Sequence, residues 1–222
     1  SDAWIRSRTG VHARHRAGPD DTTTALAVIA ASAALRDADL GAADVSLVVV
    51  ATATPDTACP ATASRVAHEL GATGASFDLN GACCGFVHAL LVAASLIGSA
   101  TVDTVLVVGA DRFTSLVDPA DRSTAVLFGD GAAAVVLRRG VPGDDYGLLG
   151  SDLGGEPAAL GVLEVPPTAR HLRMDGPELF RRATRALAAR TPFSTNHEKS
   201  IRSAEKCRLM LGLESSRETS SR

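Results

Sequence analysis

The sequence predicts an α/β layered domain, and three features carry that expectation. Residues 45–51 (VSLVVVA) and 104–109 (TVLVVG) are short unbroken apolar runs rich in β-branched side chains, the pattern of strands buried on both faces. Residues 84–99 are apolar on nearly every side, so a helix there is expected to be central and buried. Strand and helix patterns also alternate along the chain, which favours a sheet covered by helices.

Taken in order, residues 1–8 read as the middle of a larger unit. After Gly18-Pro19, Asp20 and Asp21 are placed to cap a helix over residues 22–35, rich in alanine and leucine. The strand over 45–51 ends at Thr54-Pro55-Asp56, and Pro60 opens a second helix running to Leu70. Residues 75–79 form a short strand, and Gly81 breaks the pattern before the apolar helix. Beyond the strand at 104–109, Asp118-Pro119 marks a loop. Residues 125–128 and 132–137 read as two strands joined at Gly129-Asp130-Gly131. Such a hairpin makes part of a five-stranded sheet antiparallel. Residues 174–189 form a last helix, and no internal repeat is visible.

Of the 222 residues, 45% are hydrophobic and 21% charged, enough apolar material for a substantial core. Aromatics make up only 4%, so the core is built from small and β-branched side chains. The formal net charge of −3 gives nucleic acid no basic surface to prefer. No secretory signal pattern opens the chain, and the longest apolar stretch is too short to span a bilayer. A cytoplasmic protein without membrane contact is therefore expected. The four cysteines, Cys59, Cys83, Cys84 and Cys207, have no CxxC spacing and no nearby histidine pairs. Neither a zinc site nor a disulfide framework is expected.

The texture changes near Thr191. Both lysines, Lys199 and Lys206, lie beyond it, serine becomes frequent, and no apolar period continues. A solvated tail accounts for this, and so does sequence read in a shifted frame.

The chemistry centres on Asp78-Leu79-Asn80-Gly81-Ala82-Cys83-Cys84-Gly85-Phe86. A cysteine between a strand and a helix start meets free N–H groups and the positive end of the helix dipole, both of which favour thiolate. Small neighbours let a substrate approach, as a nucleophilic cysteine requires. A packed cysteine would produce the same local pattern, and Cys84 competes with Cys83 for the role.

This segment resembles the nucleophile segment of β-ketoacyl-acyl carrier protein synthase III, a thiolase-fold condensing enzyme. Ser1-Asp2-Ala3-Trp4-Ile5 with Arg8-Thr9-Gly10-Val11 is similar to the family's S-D-x-W-I-x-x-R-T-G-I. Residues 48–52 with Pro60, and 107–111 (VVGAD), match its strands and the helix between them. Asp118-Pro119-Ala120-Asp121-Arg122 and Phe128-Gly129-Asp130-Gly131-Ala132 are similar to its D-P-x-D-R and F-G-D-G-A pair. Met174-Asp175-Gly176 with Phe180 resembles a later helix start.

The resemblance implies a thiolase-like fold of two similar halves. Residues 1–140 match the first half, 141–190 a linker and the start of a largely missing second half, and 191–222 nothing. Such a half-sheet would leave an apolar face bare. The resemblance assigns the acyl-accepting sulfur to Cys83 and makes Cys84 a packing residue. Acyl-coenzyme A would acylate Cys83, and malonyl-acyl carrier protein would condense with that thioester as it loses carbon dioxide, beginning fatty acid synthesis. No permanently bound cofactor or metal is implied. Trp4 and Arg122 would clamp the adenine of coenzyme A, with Arg8 near its nucleotide phosphate. Cys59 falls where some relatives carry a phenylalanine that reaches across a homodimer into the partner's acyl pocket. The smaller side chain implies room for a longer or branched primer.

The family's H-Q-A-N and later G-N segments do not occur in these residues, and the chain is expected to be deficient in condensation. The competing readings are a related acyltransferase of secondary metabolism and a noncatalytic remnant.

Overall fold

A computed structural model describes residues 1–140, 148, 150–190 and, as backbone, 207–212. These residues fall into two compact units that interleave in sequence.

The larger unit spans residues 17–111 and 131–148, and takes in the strand at 207–212. Its sheet contains β1 (Leu47–Ala51), β2 (Ala75–Leu79), β3 (Thr104–Arg112), β4 (Asp130–Arg139) and β7 (Cys207–Gly212), in the order β2-β1-β3-β4-β7. β1 runs parallel to both β2 and β3, whereas β4 and β7 are antiparallel. The sheet is mixed and five-stranded as expected, but with a different fifth strand. Residues 125–128 are not a strand: Thr124 and Ala125 donate backbone bonds to the Asp121 carbonyl, and Leu127 to that of Thr124. Donors used in such local turns are lost to a ladder, so the expected hairpin does not form. The fifth strand comes from the tail, where no pattern was expected to continue. The rest of residues 191–222 lies outside the described residues.

Helices cover both faces of this sheet. α2 (Thr23–Asp37) and α3 (Thr62–Leu70) pack through Ala27, Ala31, Ala63 and Val66 on Val48, Val50, Leu106 and Val108. α4 (Gly85–Gly98) packs through Ala89, Ala93 and Ile97 on Leu47, Val49, Val105 and Val107. Alternate residues of β1 thus feed opposite cores, and all five are buried, which is why that run carries no polar face.

Two expectations fail here for tertiary reasons. The α2 cap is not Asp20 or Asp21 but Thr22, whose hydroxyl accepts from the Ala25 N–H at 3.0 Å. Asp56, 33 residues beyond Thr23, accepts from the N–H groups of Thr23 and Thr24, at 2.8 Å each. Nor is α4 buried all round. Its buried residues, Gly85, Ala89, Ala93 and Ile97, form one i, i+4 stripe, while Val87 is 53% exposed.

The second unit comprises residues 1–16, 112–130 and the described part of 149–204. It opens with α1 (Asp2–Thr9), capped by Ser1 and ended by Gly10 in the left-handed conformation, φ 71°. Arg14 donates to the Val126 carbonyl, and Asp130 accepts from Thr114 N–H and hydroxyl. Phe113 stacks on Phe128, with ring centroids 5.0 Å apart. A two-stranded ribbon, β5 (Leu163–Glu164) and β6 (Arg173–Met174), precedes α5 (Gly176–Arg190). Among the described residues, no helix is long and apolar enough to cross a membrane.

Candidate active site

The parallel strands of the larger unit end together, and their following loops carry the polar groups of the site, the usual place for ligands in such sheets. After β2, Asn80 and Gly81 lead into a 3-10 turn, Ala82–Cys84, that runs directly into α4. The Asn80 side chain accepts from the Ala82 N–H at 3.1 Å, and Cys84 N–H donates to the Gly81 carbonyl at 3.1 Å. Ala82 has φ +46°, a left-handed conformation that costs a non-glycine residue energy and is often found where function demands it.

Glycines make the turn possible by close approach. A Cβ on Gly81 would lie 2.5 Å from His88 Nδ1 and 3.0 Å from the Gly85 Cα, and one on Gly109 would lie 3.1 Å from the Phe86 ring. Phe86 therefore seats over β3, and His88 lies against the backbone just before the cysteines.

Cys83 is free and exposed at this turn. Cys84 is exposed too, so in this structure it is not the packing residue implied by the resemblance. The charge argument also needs correcting. Although the residue is exposed, neighbouring atoms strip part of the water from its sulfur, which pushes the Cys83 thiol above the ordinary cysteine range, and the neighbouring Cys84 raises it further. Its own backbone N–H opposes the rise, and the Asp111 carboxylate adds to it. The helix-start setting aims the sulfur, while these surroundings oppose its ionisation.

Asp78, quoted in the motif, is a structural cap: its two oxygens accept from the N–H groups of Thr62 and Ala63, at 2.8 and 2.7 Å. The residue before that helix, Ala61, has no side-chain acceptor to offer. Asp111 performs a similar service for the loop after β1. One of its oxygens accepts from the Ala53 N–H at 2.8 Å and from the hydroxyls of Thr54 and Thr52 at 3.0 and 3.2 Å. In the sequence Asp111 shows itself as a carboxylate ending an apolar strand, a pattern that does not by itself reveal its loop partners. Cys59 is exposed on that same β1–α3 loop.

In the second unit, Trp4 is 57% exposed on α1, and the Arg8 guanidinium sits 5.9 Å from its ring centroid. Among the described residues the cation on this ring is Arg8, one helical turn along. Arg122 is exposed at the start of the turn over 122–127. Asp121 beside it accepts from Ser123 N–H and hydroxyl and from the Thr124 hydroxyl, at 2.7–2.9 Å. These bonds, led by that from the Ser123 hydroxyl, hold its carboxyl below the usual range. They fix the turn that presents Arg122. Among the described residues no group of three or more His, Cys, Asp or Glu is placed to hold a metal ion.

A family model described as 3-Oxoacyl-[acyl-carrier-protein (ACP)] synthase III matches residues 77–157, which include the whole Cys83 turn. The chain is 48% identical over 187 residues to β-ketoacyl-[acyl-carrier-protein] synthase III 2 of Streptomyces coelicolor, covering 84% of this chain and 56% of that one. It is 49% identical over 194 residues to the synthase III of Pseudomonas aeruginosa, covering 82% and 58%. The crystal structure of the Pseudomonas aeruginosa 3-oxoacyl-(acyl carrier protein) synthase III superposes with a TM-score of 0.81 at 47% identity, over 87% of this chain and 61% of that one. A priming β-ketosynthase from a polyketide biosynthetic pathway superposes with a TM-score of 0.72 at 36% identity, over 85% and 59%. The chain thus spans 56–61% of the length of the curated relatives it matches.

Proposed function

Because this chain belongs to the 3-oxoacyl-[acyl-carrier-protein] synthase III family, we propose that Cys83 accepts an acyl group from acyl-coenzyme A. The Cys83 thiolate attacks the thioester carbonyl, the carbon–sulfur bond to coenzyme A breaks, and the departing coenzyme A thiolate takes up the proton that the Cys83 thiol had given up. In the family reaction malonyl-acyl carrier protein then loses carbon dioxide, its carbanion takes the acyl group, and Cys83 is released. Covalent capture divides one difficult condensation into two easier steps.

The observation that carries this reading is the exposed Cys83 at the β2–α4 turn, inside the segment that the family model matches. Exposed Trp4 and Arg122 support an adenine clamp on the second unit, with Arg8 beside it. Cys59 leaves room for a longer or branched acyl primer. A cytoplasmic homodimer working on acyl-coenzyme A and malonyl-acyl carrier protein completes the proposal, with no resident cofactor.

These 222 residues hold neither an H-Q-A-N nor a G-N segment, so we assign to this chain alone the first half-reaction and not the condensation. Losing one preorganised donor aimed at developing charge typically costs about 10²–10³ in rate. Similarity to a priming β-ketosynthase of polyketide synthesis favours, as the second reading, a primer-loading acyltransferase of secondary metabolism.

Incubation of the chain with acetyl-coenzyme A, followed by intact-mass and peptide mapping, tests the assignment. One acetyl group on the Cys83 peptide is expected, lost in Cys83→Ser. Acylation lost in Cys84→Ser but kept in Cys83→Ser would place the nucleophile on the wrong sulfur, and robust 3-oxoacyl product would overturn the assignment of a half-reaction.

A further inference from the structure

Neither the fold nor the proposed acyl transfer uses Cys84. Its neighbours are committed: Phe86 seats against Gly109, and Gly85, Ala89 and Ala93 are buried. Cys84 instead stands exposed beside an exposed Cys83, and both thiols are free. The backbone beneath them is tied by bonds from Ala82 N–H to Asn80 and from Cys84 N–H to Gly81. The two cysteines are consecutive residues at the end of the 3-10 turn Ala82–Cys84, so a single peptide unit links the two arms. The site is a fixed turn presenting two neighbouring soft ligands to solvent.

Adjacent residues separate these sulfurs by too little backbone for an easy disulfide. Consecutive Cα atoms lie about 3.8 Å apart, below the roughly 4.4–6.8 Å that a relaxed disulfide spans. A larger atom held between two thiolates relieves that constraint, and soft ligands select soft, thiophilic centres. We propose that Cys83 and Cys84 form a two-armed thiol site that captures a single trivalent thiophilic metalloid, with an organoarsenical as its probe. In the reaction with phenylarsine oxide two sulfur–arsenic bonds form. The arsenic–oxygen bond breaks, and the oxygen leaves as water with the two thiol protons. Arsenic stays trivalent and no electrons are transferred. Cys59 is exposed as well, but its cysteine neighbours are not adjacent in sequence, so it offers one arm.

Capture removes Cys83 from acyl transfer. That consequence rests on the function proposed above, whereas the binding itself does not.

The experiment adds one equivalent of phenylarsine oxide to the reduced 222-residue chain and follows intact mass, then challenges the adduct with excess glutathione or with dimercaptopropanol. The second sulfur–arsenic bond is intramolecular, so retention against a monothiol should exceed that of a one-armed adduct by about 10²-fold or more. A single adduct should form, survive glutathione and be stripped by the dithiol. Cys83→Ser and Cys84→Ser should each lose that retention, and Cys59→Ser and Cys207→Ser should not. Removal by glutathione from the unsubstituted chain would overturn the proposal without recourse to any variant. So would retention in Cys84→Ser. Acetylation of Cys83 is read separately, so failure of acyl transfer and failure of capture are told apart.

Discussion

Gly81→Ala separates the geometry of the Cys83 turn from the stability of the domain. The added methyl would lie 2.5 Å from His88 Nδ1, 3.0 Å from the Gly85 Cα and 3.2 Å from the Gly85 nitrogen. The first contact is with the end of a half-buried side chain that can swing away. The other two are with the backbone that begins α4, and only a shift of the turn relieves them. Overpacking of this kind costs about 1–3 kcal/mol, and the one yielding contact places Gly81→Ala in the lower half, about 1–2 kcal/mol. Gly74→Ala supplies the contrast, because its methyl would meet the carbonyl oxygens of Ser46 and Val45 at 2.4 and 2.6 Å with no side chain to yield. Urea unfolding should therefore rank Gly74→Ala as the less stable protein. Acetylation of Cys83 should rank them in the opposite order, since only Gly81 sits on the turn that aims the sulfur. His88→Ala in the Gly81→Ala background should restore part of the stability, limited by the Gly85 contacts that remain. If Gly81→Ala unfolds and acylates like the parent chain, the reasoning fails, because the turn would then accommodate a side chain where the geometry leaves no room.

Two further outcomes follow from the same site. Asp78→Ala removes both acceptors from the start of α3, and lost caps cost about 0.5–2 kcal/mol; two short bonds to a carboxylate put the expected loss near the top of that range. Asp78→Asn keeps one good acceptor and should recover part of it, whereas a loss in Asp78→Ala below the bottom of the range would show that α3 does not depend on this cap. The alkylation rate of Cys83 should rise with pH through a midpoint above that of an ordinary cysteine, and Cys84→Ser and Asp111→Asn should each move it lower by removing a charge that opposes the thiolate. The sign carries over to stability: the folded chain holds the Cys83 proton to higher pH than the unfolded chain, so stability falls as pH rises past the unfolded cysteine value. A midpoint at or below that of free cysteine would contradict the assignment of causes.

What the sequence made legible is what local pattern controls. β1 and β3 were readable because a strand buried on both faces has no polar positions, and few other structures tolerate that composition. The turn before α4 was readable because glycines and small residues between a strand and a helix leave few alternatives. Other features depended on partners distant in sequence. The α2 cap comes in part from Asp56, across an intervening strand and loop, so the nearer Asp20 and Asp21 were reasonable and wrong. Apolarity told how much of α4 could be buried, not what would cover it: one stripe is fully buried, and Phe86, Leu90, Ala94 and Leu96 are partly covered. Residues 125–128 carried strand composition, yet the carbonyls of Asp121 and Thr124 claimed the N–H groups of Ala125 and Leu127 in local turns.

The same distinction governs Cys83, where mounting and activation turn out to be separate properties. Sequence position alone promised a thiolate, because a helix start offers N–H groups and a dipole. Here burial, Cys84 and Asp111 raise the thiol pKa, and the one group opposing the rise is the backbone N–H of Cys83 itself. The penalty for reactivity is smaller than the shift suggests. Each unit by which a thiol pKa rises lowers the thiolate fraction about tenfold at neutral pH, while a Brønsted slope of roughly 0.4–0.5 returns about threefold in nucleophilicity, for a net loss of about three- to fourfold. A fixed, exposed sulfur can absorb that loss when the leaving group is good, as a thiolate departing from a thioester is. The turn therefore suits slow capture from an activated donor better than fast attack on an inert one. Asp111 has two effects at once: its carboxylate organises the β1 loop through Ala53, Thr52 and Thr54, and its charge opposes ionisation of the Cys83 thiol.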